Sequence, residues 1–203
     1  MSILKENKKK MRKKMRTILN SISYSERMDS GEIIASKLSL WLNSIHNLKN
    51  KNINIGFFAN LDDEIDTTHL DLVLMKMNCN RFLPVIKENS LFWKQIPEHV
   101  NIANLKAGYF NIPEPPDDSL QINLSKLDVL IIPGLAFDKK GNRLGRGKGF
   151  YDKILSTIKK NNIKPIKIGL SLDCQIVDKV FIEYFDKPVE WLCTPLYGIR
   201  NVI

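Results

Sequence analysis

The apolar run Val129-Leu130-Ile131-Ile132 stops at Pro133-Gly134, and a helical pattern opens beyond it with Tyr151, Ile154, Leu155 and Ile158. Between them lies a basic stretch rich in glycine. Strand, glycine-rich loop, helix is the layout of a phosphate cradle in an α/β protein. Gly145, Gly147 and Gly149 alternate along the loop, which lets backbone N–H groups approach an anion closely. The helix start adds unpaired N–H groups and the positive end of its dipole. Arg143, Arg146 and Lys148 bring charge to the same loop. Asp152 falls in the first helical turn, where a carboxylate can hold Mg²⁺ beside phosphates.

Neither common nucleotide motif is present. A P-loop places Ser or Thr after its lysine, whereas Lys148 is followed by Gly149 and Phe150. The dinucleotide fingerprint is Gly-x-Gly-x-x-Gly; here the spacing is Gly-x-Gly-x-Gly, with no acidic residue ~20 positions on to close a strand. On the residues alone, an anion-binding loop competes with a basic hairpin or surface loop.

Upstream, Met11, Met15, Ile18, Leu19 and Ile22 form one apolar stripe, and Lys8, Arg12 and Arg16 fall four apart on another face. The spacing predicts a basic amphipathic helix over 4–22; its charged face is a solvated surface, a presequence or a binding face. Ser23 and Glu26 form a capping box for a second helix over about 24–45, weakened locally by Gly31. Ile53, Ile55 and Phe57 alternate as a strand, and the acidic segment 61–68 leads to a helix with Leu70, Val73, Leu74 and Met77 inward, capped by Asp66 or Thr67. Segments 81–86 and 91–96 read as a hairpin joined by Lys87-Glu88-Asn89-Ser90, and 101–124 as a polar, Pro-rich loop. Strands follow at 167–172 and 191–195, the latter expected to be last.

At 203 residues and 43% hydrophobic content the chain suits one domain spanning 1–203. Its formal charge of +9 suits either simple lysine richness or a polyanionic ligand such as nucleic acid, a nucleotide or a poly-glutamylated substrate. Cys79, Cys174 and Cys193 are scattered and odd in number, which argues against a disulfide framework and fits a cytoplasmic location. His46, His69 and His99 show no zinc-site spacing. No apolar run approaches 18 residues, so no membrane association is expected.

Residues 133–152 resemble the signature of the 5-formyltetrahydrofolate cyclo-ligase family, approximately Pro-Gly-x-x-Phe-Asp-x-x-Gly-x-Arg-Leu-Gly-x-Gly-x-Gly-Tyr-Tyr-Asp, departing at Phe150. The resemblance reaches both ends of the chain and implies roles residue by residue. Lys8 and Arg12, the latter fifteen positions before Arg27, match residues that reach ATP phosphates. Arg143, Leu144, Gly145, Arg146, Gly147, Lys148, Gly149, Phe150 and Tyr151 match the ATP loop, with Arg146, Lys148 and Tyr151 in catalytic roles. Glu64, in Glu64-Ile65-Asp66-Thr67, matches a residue that contacts the pterin; Ala59, Phe110 and Tyr151 complete the folate side. Asp186 matches a carboxylate that joins Asp152 in holding Mg²⁺; a surface loop acid is the plainer reading.

Strands alternating with helices give an α/β class, expected as a three-layer α/β/α sandwich with a Rossmann-like core and a mainly parallel sheet. The site is expected across the carboxyl ends of the strands. The resemblance implies ATP-dependent cyclisation of 5-formyltetrahydrofolate to 5,10-methenyltetrahydrofolate with release of ADP and phosphate, by a monomer using small-molecule substrates and no nucleic acid. The rival readings are a nucleic-acid-binding basic module, and a sugar-phosphate isomerase or acyl-CoA transferase of similar topology that needs no ATP.

Overall fold

The computed structural model describes residues 3–45, 52–88, 90–163 and 165–202, with the side chain of Phe110 outside that set. Its centre is β5 (Val129–Ile132), buried along its whole length. Val129 and Ile131 join one hydrophobic cluster, Leu130 and Ile132 another. A strand covered on both faces needs an unbroken apolar run rather than alternation. β5 pairs in parallel with β1 (Asn54–Gly56) on one side and β8 (Ile166–Leu170) on the other.

The parallel core is completed by β2 (Asn80–Lys87) beyond β1 and β10 (Trp191–Thr194) beyond β8. Antiparallel strands finish both edges: β11 (Gly198–Asn201) next to β10, and β3 (Ser90–Gln95) then β4 (Gln121–Ile122) next to β2. Helices α1 (Ile3–Asn20), α2 (Tyr24–Ser44) and α3 (Thr68–Lys76) cover one face, placing Met15, Leu19, Leu38 and Leu74 in the cluster that holds Ile55 and Ile131. On the other face, α4 (Phe150–Lys160) lays Ile154, Leu155 and Ile158 against Leu130 and Ile132. This is the expected three-layer α/β/α sandwich with a mainly parallel sheet. From β1 the chain steps outward to β2, while β5 steps the opposite way to β8. The order therefore reverses between β1 and β5, and a crevice opens at their carboxyl ends.

Local chemistry fixes the helix ends. Ser23 Oγ accepts from Glu26 N, and Ser23 N donates to Glu26 Oε2 at 2.8 Å. Asp66 caps α3, accepting from Thr68 N at 2.9 Å, while Thr67 Oγ1 instead donates to Asn60 Oδ1 at 3.1 Å. Gly31 is a packing residue: a Cβ there would lie 2.4 Å from the carbonyl oxygen of Asp66. α2 thus presses directly on the backbone just before α3.

Two expectations need correction. The strand at 191–195 is not the last, because β11 returns beside it through a turn in which Gly198 takes φ 66°. Segment 101–124 is not all loop: it contributes β4 and short 3₁₀ turns at Ile102–Asn104 and Tyr109–Asn111. The 81–96 hairpin forms with Lys87 opposite Ser90; Asn89 of its turn lies outside the described residues.

Candidate active site

The glycine-rich segment after β5 divides into two parts. The first is a true hairpin of β6 (Ala136–Asp138) and β7 (Arg143–Leu144), which with β9 (Ile176–Val177) forms a small second sheet. Buried Asp138 organises its turn, accepting from Lys140 N, Asn142 N, Asn142 Nδ2 and, across the sheet, Val180 N at 2.9 to 3.1 Å. Gly141 takes φ 72°, and a Cβ there would sit 2.3 Å from the Val189 carbonyl oxygen. The second part, 145–149, is the glycine turn proper. It delivers Gly149 to the α4 N-cap with φ 73°, and Gly147 at φ 108°. The hairpin reading holds for the first half, and the second half is a glycine turn that leads into α4.

This turn forms one side of an open cleft. Opposite it, Phe58, Ala59 and Leu61 follow β1 on the way to Glu64. An apolar wall of Leu83, Pro84, Ile86 and Leu91 comes from the β2–β3 hairpin, and Ile112 and Pro113 from the segment after it. Gly145, Arg146, Lys148, Gly149, Phe150, Tyr151 and Asp152 line the side of the glycine turn, together with Arg143.

Ion pairs bind these parts together. Arg146 bridges the two loops: Nη1 and Nη2 donate to Asp63 at 3.0 and 2.5 Å, and Nε donates to Glu64 Oε1 at 2.9 Å. Glu64 Oε2 also accepts from Leu61 N at 3.0 Å. Burial pushes the Glu64 carboxyl up from its ordinary value, and the Arg146 charge opposes that shift only in part. Burial likewise raises the Tyr151 phenol, with Glu64 adding to the shift and Arg143 opposing it, so Tyr151 is a neutral donor at physiological pH. The Arg143 guanidinium lies 5.6 Å from the Tyr151 ring centroid. Arg143 Nη2 pairs with Asp152 Oδ1 at 2.5 Å, while its buried Nε has no acceptor.

The N-terminal helix reaches the same corner. Arg12 Nε donates to the Gly145 carbonyl at 2.9 Å, and its guanidinium lies against Gly147. Lys8 is buried and held between Glu183 at 2.9 Å and Asp186 at 2.5 Å, with Phe185 below it. Neither Lys8 nor Asp186 is among the residues lining the cleft. Leu144 faces the core at 1% exposure, and its carbonyl accepts from Leu135 N. Phe110 lies in a 3₁₀ turn, its side chain outside the described residues.

Asp152 and Asp186, the pair matched to Mg²⁺, stand differently. Asp152 lines the cleft and offers a hard oxygen donor of the kind Mg²⁺ takes beside phosphates. Asp186 is bonded to Lys8 and accepts from Glu183 N at 2.7 Å. No cluster of three or more possible ligands occurs among the described residues. Asp152 thus lines the cleft while paired with Arg143, and Asp186 lies outside that lining while paired with Lys8.

Sequence reasoning missed Asp63, Glu183 and the apolar wall. Asp63 had a visible signal, as one of four acids in a loop facing an unusually basic one. Glu183 had none, since nothing local ties it to a lysine 175 positions away.

The 5-formyltetrahydrofolate cyclo-ligase family matches the chain over residues 4–195. The chain belongs to that family. Among its cyclo-ligase relatives, the 5-formyltetrahydrofolate cyclo-ligase of Haemophilus influenzae is 37% identical over 141 residues, 67% of this chain and 72% of the relative. That of Mus musculus is 27% identical over 189 residues, 90% of this chain and 91% of the relative. The solved structure of Aquifex aeolicus 5,10-methenyltetrahydrofolate synthetase superposes with a TM-score of 0.75 at 28% identity, covering 96% of this chain and 92% of that one. In this cyclo-ligase family member, the part of the signature from Ala136 to Leu144 builds the hairpin, and Gly145, Arg146 and the run from Lys148 to Asp152 line the cleft.

Proposed function

We propose that the chain closes 5-formyltetrahydrofolate to 5,10-methenyltetrahydrofolate at the expense of ATP, releasing ADP and phosphate. One observation carries this reading: a single cleft has an apolar wall with buried Glu64 on one side and a cation-bearing glycine turn on the other. Glu64 suits the paired N–H groups of a pterin ring, and the apolar wall suits its faces. The turn, the α4 N-terminus, Arg12 and Lys148 suit a triphosphate. The buried, unpaired Nε of Arg143 is a further donor on that side.

With both substrates bound, the formyl oxygen attacks the γ-phosphorus and ADP leaves. The N10 nitrogen then attacks the activated formyl carbon. Phosphate departs with the former formyl oxygen, N10 gives up its proton, and the methenyl bridge remains. The protein supplies no covalent nucleophile; it aligns the two substrates and neutralises charge as it migrates. Lys148 and Arg146 are assigned that neutralising role, and Tyr151 donates from its neutral phenol. Bound at Asp152, Mg²⁺ would neutralise phosphate charge.

The same reading takes the protein as a monomer acting in the cytoplasm on small molecules; its three cysteines are free thiols. The exposed lysines of α1 (Lys9, Lys10, Lys13 and Lys14) are taken as solvated surface rather than a nucleic-acid face. The deciding experiment mixes protein, 5-formyltetrahydrofolate, Mg²⁺ and ATP and follows the methenyl-folate absorbance band. Growth of that band only when ATP is present is the expected result; no product, or product without ATP, would sink the reading.

A further inference from the structure

The Asp63–Glu64–Arg146 contact joins one cation to two carboxylates of unequal burial. Asp63 is the more exposed, at 19% of its side-chain area against 8% for Glu64. It nevertheless takes both terminal nitrogens of the guanidinium, leaving Glu64 only Nε. An arginine presents its N–H groups as a rigid fork that matches a carboxylate edge, and a buried carboxylate is the stronger partner for it. Without Asp63, the edge formed by Nε and one terminal nitrogen would turn onto both oxygens of Glu64. One of those oxygens already accepts from Leu61 N. Glu64 would then have little acceptor capacity left.

We infer that Asp63 is a positioning residue for folate binding: by gripping the outer nitrogens of Arg146 it keeps Glu64 open to the N–H groups of the substrate. This rests on the reading of Glu64 as the folate carboxylate. Asp63 touches no substrate atom. It acts through Arg146, so its effect on folate is read in binding measured without ATP.

The test is calorimetric titration of 5-formyltetrahydrofolate, without ATP, into the full chain carrying no change, Asp63→Asn, Glu64→Gln, Arg146→Ala, or Asp63→Asn with Arg146→Ala. Asparagine keeps the shape of Asp63 but puts a donor against a donor, breaking the fork. Asp63→Asn should weaken binding about tenfold. In turnover it should raise KM for folate. With Arg146 already replaced by alanine, nothing competes for Glu64, so adding Asp63→Asn should change nothing further. Wild-type binding by Asp63→Asn overturns the inference. So does an equal loss in both backgrounds, which would mark a mere loop defect. Absence of binding by Arg146→Ala also overturns it, because Arg146 would then serve the folate itself. Glu64→Gln separates the two levels. If it binds as wild type does, the folate reading of Glu64 falls and takes the inference with it; if it binds weakly while Asp63→Asn binds normally, only the inference falls.

Discussion

Lys148 is a cation of the glycine turn that has no carboxylate partner among the described residues, and it is exposed at the lip of the cleft. A side chain so placed contributes little to stability and a great deal to any anion that enters. Lys148→Ala is expected to lower kcat by roughly 10²–10³ with an unchanged unfolding midpoint, since preorganised charge at a phosphoryl centre has that worth. Steady-state kinetics beside thermal unfolding checks both halves. Gly31 behaves in the opposite way. Alanine there would gain about 1 kcal/mol of helix propensity. Its Cβ would nevertheless have to displace the Asp66 carbonyl, at a cost of about 1–3 kcal/mol. Gly31→Ala should therefore lower stability in a denaturant titration and, by shifting the 61–66 loop, raise KM for folate. Sequence inspection finds the right residue types at this scale but not their pairings. Arg143 with Asp152, Arg146 with Asp63 and Glu64, and Lys8 with Asp186 join positions from 9 to 178 apart, and only the folded sheet brings the distant ones together.

Among the elements, α1 links core and cleft. Met15 and Leu19 are buried in the main cluster, while Arg12 holds the glycine turn through the Gly145 carbonyl. Deleting the first sixteen residues would strip Met15 from the core and confound any change in ATP use with unfolding. Arg12→Ala is the cleaner probe: KM for ATP should rise about tenfold, as expected for loss of a charge-assisted contact, with KM for folate unchanged. Long or continuous patterns were legible in the sequence. The amphipathic stripe of α1, the Ser23–Glu26 box and the unbroken Val129–Ile132 run each state their structure locally. β11 and β4 were not legible, because a four-residue edge strand ending in exposed Arg200 and Asn201, and a two-residue strand, carry no alternation to read. The β6–β7 hairpin was legible only as one alternative, because the glycines beside it suit an anion-binding loop equally well.

For the molecule as a whole, the sheet is sealed on both faces, and its thiols record that. Burial pushes the Cys193 thiol up to about 12 and the Cys79 thiol up to about 11, while Cys174 is exposed, though its thiol too is raised, chiefly by burial. Thiolates are the reactive form, so Cys193, at 0% exposure, should resist a small alkylating reagent at neutral pH until the protein unfolds globally. Mass spectrometry of labelled protein across a denaturant series should show Cys174 modified first and Cys193 only at the unfolding midpoint. Prompt labelling of Cys193 in native buffer would contradict the burial seen here.

The grip of Glu183 and Asp186 on Lys8 spans 175 and 178 positions. On a ribosome, that lysine leaves the exit tunnel long before its counter-ions are even translated. A nascent chain stalled before them holds its N-terminal helix through Met15, Leu19 and Arg12, so the last anchor of that helix arrives with the closing stretch of synthesis.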